Sequence, residues 1–175
     1  MIQLTRIGHV LLRVTDIERS KAFYRDVLGF RVAEQDPDHG GVFMTLGEDF
    51  HTIDLFQHPD PQSGGPVDRA RVGLGHIAFQ VASFGALGEA YRTLLAHDVE
   101  IERAMDHVNQ RSIYFADPDG NRLEIYYEMP GALQRFAGGR GDNDRVLAVT
   151  RAGEPLPEWL SERWPPAEVT SASLR

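Results

Sequence analysis

The stretches IGHVLLRV at residues 7–14 and LGHIAFQV at residues 74–81 repeat one another, and the repetition continues, with KAFYRDVLGFRV echoed by EAYRTLLAHDV. His9 and His76, Tyr24 and Tyr91, and Val32 and Val99 all stand 67 residues apart. A constant offset through a β-branched alternating run, a helix-spaced run and a second alternating run means that one supersecondary unit is used twice. In the first copy, Ile7 to Val14 reads as a strand. Thr15-Asp16 offers a helix N-cap, IERSKAFYRDVLG carries apolar residues at helical spacing, and Gly29 ends it. Phe30 to Ala33, Val42 to Leu46 and Phe50 to Phe56 read as three more strands. The second copy follows with Val99 to Arg103, Arg111 to Ala116 and Asn121 to Tyr127. The expected fold class is therefore α+β, a tandem pair of βαβββ units.

Between the copies, HPDPQSGGPVDRAR is too rich in Pro, Gly and charge to pack as a strand or helix. The expected organisation is a first unit at 1–56, a linker at 57–72, a second unit at 73–130 and an extension at 131–175. The extension belongs to neither repeat. Its Gly-rich start reads as mobile, Leu156 to Trp164 as a short helix, and Phe136, Trp159 and Trp164 as aromatics that close over the site mouth or serve as a dimer arm.

The last strand of each unit carries an acid, Asp54 in HTIDLF and Glu124 in NRLEIYY, 70 residues apart because the connecting turns differ by three. Strand alternation sets Glu124 on the face opposite Leu123 and Ile125, and a carboxylate entering a core face needs a partner. The turn Asp117-Pro118-Asp119-Gly120 just before it has Pro and Gly where a tight turn requires them. His9 and His76 occupy equivalent first strands, so the repeat lets both meet Glu124. Two imidazoles and one carboxylate suit a divalent first-row metal and leave coordination positions open. The chain has no Cys, so any metal sits on nitrogen and oxygen, and disulfides and a thiolate nucleophile are excluded. A net charge of −8 with no basic cluster argues against a nucleic-acid surface, and no apolar run approaches membrane-spanning length. The expected location is cytoplasmic.

The segments GHVLLRV, DIERSKAFYRDVLGF, LGHIAFQV and ADPDGNRLEIYYE resemble the vicinal oxygen chelate superfamily over about residues 5 to 130. That resemblance implies paired βαβββ units forming a cupped mixed sheet around a metal. Within it, DHVNQRSIYFADPDGNRLEIYYE looks like the signature of type I extradiol ring-cleavage dioxygenases of the catechol 2,3-dioxygenase kind. His107, Tyr114, Asp117, Pro118, Gly120 and Glu124 match in spacing, while Met105 departs from the residue usual at its position. The resemblance implies that His9, His76 and Glu124 hold Fe(II), with Mn(II) suited to the same ligands. It implies that His107 and Tyr114 hydrogen-bond substrate or oxygen, and that His51 is the acid-base group. The partners it implies are a catecholic small molecule, O2 and a second copy of the chain, as homodimer or higher homo-oligomer.

The chain also resembles metal-dependent glyoxalase I, in which the position of Asp54 is a fourth ligand to Ni or Zn. A non-catalytic drug-binding module is a third possibility within the same superfamily. On a regular strand, His51 and Asp54 would face opposite sides. That parity makes one of them a bystander; the task that His107 and Tyr114 have in ring cleavage, and lack in a lyase, favours His51 as functional and leaves Asp54 at the edge, paired with an Arg such as Arg111.

Overall fold

The computed structural model describes residues 2–63, 72–141, 143–166 and 170. The chain forms two compact units, Met1–Asp68 with Asp117–Asn121, and Arg69–Ala116 with Arg122–Arg175. In the first, β1 (Val10–Val14), α1 (Ile17–Asp26), β2 (Arg31–Gln35), β3 (Val42–Thr45) and β4 (Ile53–Gln57) build a mixed four-stranded sheet ordered β1-β4-β3-β2. In the second, β5 (Ile77–Gln80), α2 (Phe84–Ala96), β6 (Arg103–Asp106), β7 (Gln110–Ala116) and β8 (Arg122–Glu128) repeat the pattern. The extension adds α3 (Ala132–Arg135) and β9 (Arg145–Leu147), making a five-stranded sheet ordered β5-β8-β7-β6-β9. Most of the expected linker, residues 64–71, lies outside the described residues. Among the described residues, no helix is long and apolar enough to cross a membrane.

The local code works as the sequence predicts. The Asp16 carboxylate accepts from Arg19 N–H at 3.0 Å to cap α1, and Gly29 takes φ +77° just beyond its end. Ser83 caps α2 by accepting from Ala86 N–H at 3.0 Å. The helices turn Phe23 and Tyr24, and Leu87, Tyr91 and Leu94, into the cores of their units.

The repeat is visible in the strand register. β1 pairs parallel with β4, setting Leu11 opposite Asp54, and β5 pairs parallel with β8, setting Ala78 opposite Glu124. The same offsets of 67 and 70 thus relate both partners of each pair.

β9 was not expected. It lies antiparallel to β6 with Asp106 opposite Arg145, and the extension's aromatics fold against α2. The Trp159 ring meets Tyr91 edge-on at 5.9 Å and donates its indole N–H to Ala148 O at 2.8 Å. Trp164 packs 5.5 Å from Phe84 and 5.8 Å from Tyr127, and Phe136 joins that cluster. Within this unit the expectation of an aromatic lid is corrected. Tyr127, Ile125 and Leu123 share the α2 face of β8, whereas Glu124 points the other way, so the tryptophans cover the face opposite the acid. Glu158–Ser161 makes a single 3₁₀ turn rather than the expected helix through Trp164.

The turn at residues 117–121 is tied into the first unit. Asp119 accepts from Thr15 N–H at 3.1 Å, Ser20 Oγ at 3.0 Å and Arg19 Nη2 at 2.9 Å, while Tyr24 donates its hydroxyl to Asp117 at 3.1 Å. Burial opposes the charge on Asp119, yet the hydrogen bonds from Thr15 and Ser20 and the nearby Arg19 hold its carboxyl below its ordinary range. A carboxyl depressed in the folded state stabilises above its unfolded pKa, and that contribution disappears as pH falls through the folded value. Asp119→Asn is therefore expected to cost about 2 kcal/mol at neutral pH in denaturant unfolding. The gap from wild type should narrow below about pH 4.

Candidate functional site

Each unit presents a histidine at the entrance of its first strand and an acid one strand over. His9 and His76 stand one residue before β1 and β5, half-exposed, rather than inside the strands as expected. Gly8 and Gly75 precede them, and glycine extends a strand poorly.

In the first unit, His9 Nε2 lies 3.6 Å from Asp54 Oδ2, and the His9 and His51 rings stack at 4.3 Å. Asp54 Oδ1 accepts from His51 Nδ1 at 2.5 Å. Donor atoms of His9, His51 and Asp54 all lie within 4.8 Å of one another. The expectation that His51 and Asp54 face opposite ways is therefore overturned. β4 starts at Ile53, so His51 lies in the approach to the strand, where alternation does not apply. Asp54 is buried and does not pair with Arg111, whose guanidinium belongs to the second unit and bonds Asp106 and Glu162. Phe43 and Phe50 flank His51 with ring centroids at 5.5 and 5.9 Å.

In the second unit, Glu124 is 3% exposed. Its Oε2 lies 2.9 Å from His76 Nε2, and its Oε1 accepts from Gln110 Nε2 at 3.2 Å. Tyr114, directly opposite Glu124 in the β7–β8 ladder, shares its face, and the Tyr114 hydroxyl meets His107 Nε2 at 3.1 Å. Arg103 covers the Tyr114 ring at 4.7 Å. The residues predicted for this unit, His76, His107, Tyr114 and Glu124, are thus brought together. His39 and His58 are engaged in turns with Asp36 and Asp60, and His97 ends α2.

A metal fits this donor chemistry. A buried carboxylate met by an imidazole, a phenol and an amide, with no Lys or Arg ion pair among the described residues, retains charge that a divalent cation offsets. All donors are nitrogen or oxygen, as Fe(II) or Mn(II) accepts. Sequence reasoning did not single out Gln110, Arg103, Phe43 or Phe50. Strand parity could have placed Gln110 with Tyr114, four residues away on the same strand; the aromatic pair left no comparable signal.

Residues 6–125 match the family described as the Glyoxalase/Bleomycin resistance protein/Dioxygenase superfamily, and the chain belongs to it. It is 34% identical over 122 residues to biphenyl-2,3-diol 1,2-dioxygenase 3 of Rhodococcus globerulus, which covers 69% of this chain and 62% of that protein. It thus spans less than two thirds of that relative's length. Biphenyl-2,3-diol 1,2-dioxygenase 2 of the same organism is 25% identical over 174 residues, covering 98% of this chain and 90% of that one. Among solved structures, a lactoylglutathione lyase from Agrobacterium tumefaciens is similar at a TM-score of 0.55 and 26% identity, covering 71% of this chain and 95% of that one.

Burial, and then the charge and hydrogen bonding of Glu124, push the Tyr114 phenol up to about 12. Glu124→Gln in metal-free protein removes the negative neighbour that disfavours phenolate. Tyr114 should then titrate lower, though still above about 10 because burial remains. Near-ultraviolet absorbance titration, with Tyr114→Phe identifying the transition, measures the difference.

Proposed function

We propose that the protein is an Fe(II)-dependent extradiol-type dioxygenase that opens a catecholic ring with O2. His9, His76 and Glu124 are its metal ligands, and His51, His107 and Tyr114 its catalytic groups. The observation that carries this reading is the Tyr114–His107 pair beside the Glu124 carboxylate. Such a pair has a clear task where oxygen's negative charge must be met by donors, and little in a lyase whose carboxylate ligand moves the proton. Two relatives named as biphenyl-diol dioxygenases support the same class.

When bound, the metal supplies chelation of the two catechol oxygens, a lowered hydroxyl pKa and a place for O2. The chain's own groups do the rest. His51, with Nδ1 held by Asp54, keeps Nε2 for taking a catechol proton and returning it. Phe43 and Phe50 offer apolar rings around that histidine, suited to an aromatic substrate. Tyr114 donates its hydroxyl to the charge developing on oxygen, and His107 Nε2, 3.1 Å from that hydroxyl, shares its proton. The ring carbon–carbon bond beside one hydroxyl breaks, both oxygen atoms of O2 enter the product, and no outside reductant is consumed. Assembly as a homodimer or higher oligomer is part of this reading, because β2 is exposed along its whole length at a sheet edge.

One observation favours a second reading, a glyoxalase-type isomerase with Asp54 as fourth ligand to Ni or Zn. Asp54 holds the register position equivalent to Glu124 and points at His9 as Glu124 points at His76. Protein loaded anaerobically with Fe(II) is expected to take up one O2 per catechol and give a yellow ring-fission product, and His76→Ala should abolish both. One tightly bound metal per chain with no uptake on any catechol would transfer the assignment to the isomerase. Asp54→Asn separates the two by metal analysis. It should leave metal stoichiometry intact and lower turnover about tenfold if Asp54 serves His51, but release the metal if Asp54 is a ligand.

A further inference from the structure

The extension brings an acid to the second unit's polar cluster. Antiparallel pairing sets Asp106 of β6 opposite Arg145 of β9, and Arg145 Nη2 donates to Asp106 Oδ2 at 3.0 Å. Extending that register by one residue brings Asp144 to His107. Asp144 Oδ2 accepts from His107 Nδ1 at 2.7 Å. Arg140 holds the arrangement from the other side, ion-paired to Asp144 Oδ1 and donating to His107 O at 3.1 Å. Gly141, next to Arg140, takes φ +67°.

The turn that carries His107 is itself constrained. Val108 adopts φ +71°, in the left-handed region that a β-branched residue avoids, and the conformation is held by Val108 N–H donating to Asp106 Oδ1 at 2.9 Å and His107 N–H to Gln110 O at 2.8 Å. Backbone strain of this kind is kept where surrounding contacts fix a side chain for use.

We propose that Asp144 is a positioning residue: its carboxylate keeps the proton of His107 on Nδ1 and the ring turned so that Nε2 addresses the Tyr114 hydroxyl. The proposal rests on the reading of His107 as a working group in ring cleavage. It gives the C-terminal extension a part in the chemistry, as the carrier of the acid that sets a histidine tautomer. Partial burial pushes the Asp144 carboxyl up, but the hydrogen bonds from Arg140 and His107 outweigh it and hold the group below its ordinary range. It is thus a carboxylate throughout neutral pH. His51 receives the same treatment from Asp54 in the first unit.

The test compares wild type with Asp144→Ala and Asp144→Asn by long-range 1H–15N correlation spectra of the imidazole rings, with His107→Gln assigning the signal. Wild type should show Nδ1–H for His107, and Asp144→Ala a mixture of the two tautomers. With Fe(II) and a catechol that is turned over, kcat should fall about tenfold with KM within about twofold, and Asp144→Glu should recover part of it. Unchanged His107 ring signals in both the Ala and the Asn variants would overturn the proposal. So would unchanged kcat in those variants, leaving the dioxygenase reading intact. A tautomer change in a protein that turns over no catechol would support the positioning role and overturn the dioxygenase reading instead.

Discussion

The parallel pairing of the first strand of each unit with its last is the constraint on which the rest depends. It sets Leu11 opposite Asp54 and Ala78 opposite Glu124, so the histidine just before each first strand arrives beside an acid that no local sequence contact could bring to it. Side chains alternate along a strand, so a slip of one residue would turn Glu124 to the α2 face and bring Leu123 or Ile125 among the polar groups. Both residues are buried in the apolar layer, as are Ile113 and Phe115 on the neighbouring strand. The cost of moving them makes the hydrophobic layer the guardian of the polar one.

The two faces of the second sheet divide the work. On one, Arg111 is buried at the junction of α2 and the extension. It donates to Asp106 at 3.0 Å, to Trp159 O at 3.1 Å and to Glu162 at 2.7 Å, with Phe84 and Trp164 around its guanidinium. A planar cation with several fixed donors suits such a place better than a point charge would. On the other face, Gln110, Ser112 and Tyr114 line up opposite Glu128, Tyr126 and Glu124. Asp106 links the two sides of this arrangement. Its Oδ2 anchors Arg111 and Arg145 while its Oδ1 takes the Val108 amide, so the packing that seats the tryptophans also fixes the turn bearing His107.

Much of this is legible in the sequence. The 67-residue offset specified a doubled βαβββ pattern, and the caps at Asp16 and Gly29 follow from local chemistry that tertiary contacts do not override. Strand parity placed Glu124 correctly because β8 is long and regular. The same argument failed for His51 because it extended the last strand of the first unit back to residue 50, whereas pairing begins at Ile53. The fate of the extension was not legible either. Two tryptophans announce that a surface is covered but not which one, and a three-residue strand such as β9 is too short to leave a periodic trace. Its existence depends on a partner strand some forty residues away. Asp144 therefore gave no signal of its own.

The two units resemble one another closely enough that their differences carry information about role. Glu124 reaches His76 at 2.9 Å, and its other oxygen is met by a neutral amide. Asp54 is one methylene shorter, lies 3.6 Å from His9, and commits its nearer contact, at 2.5 Å, to His51. A short acid already holding an imidazole is well placed to orient that imidazole, whereas a longer acid with a neutral partner keeps its charge available for a cation. On the proposed function, the two acids at equivalent positions of the duplicated scaffold take different tasks, Glu124 holding the metal and Asp54 orienting His51.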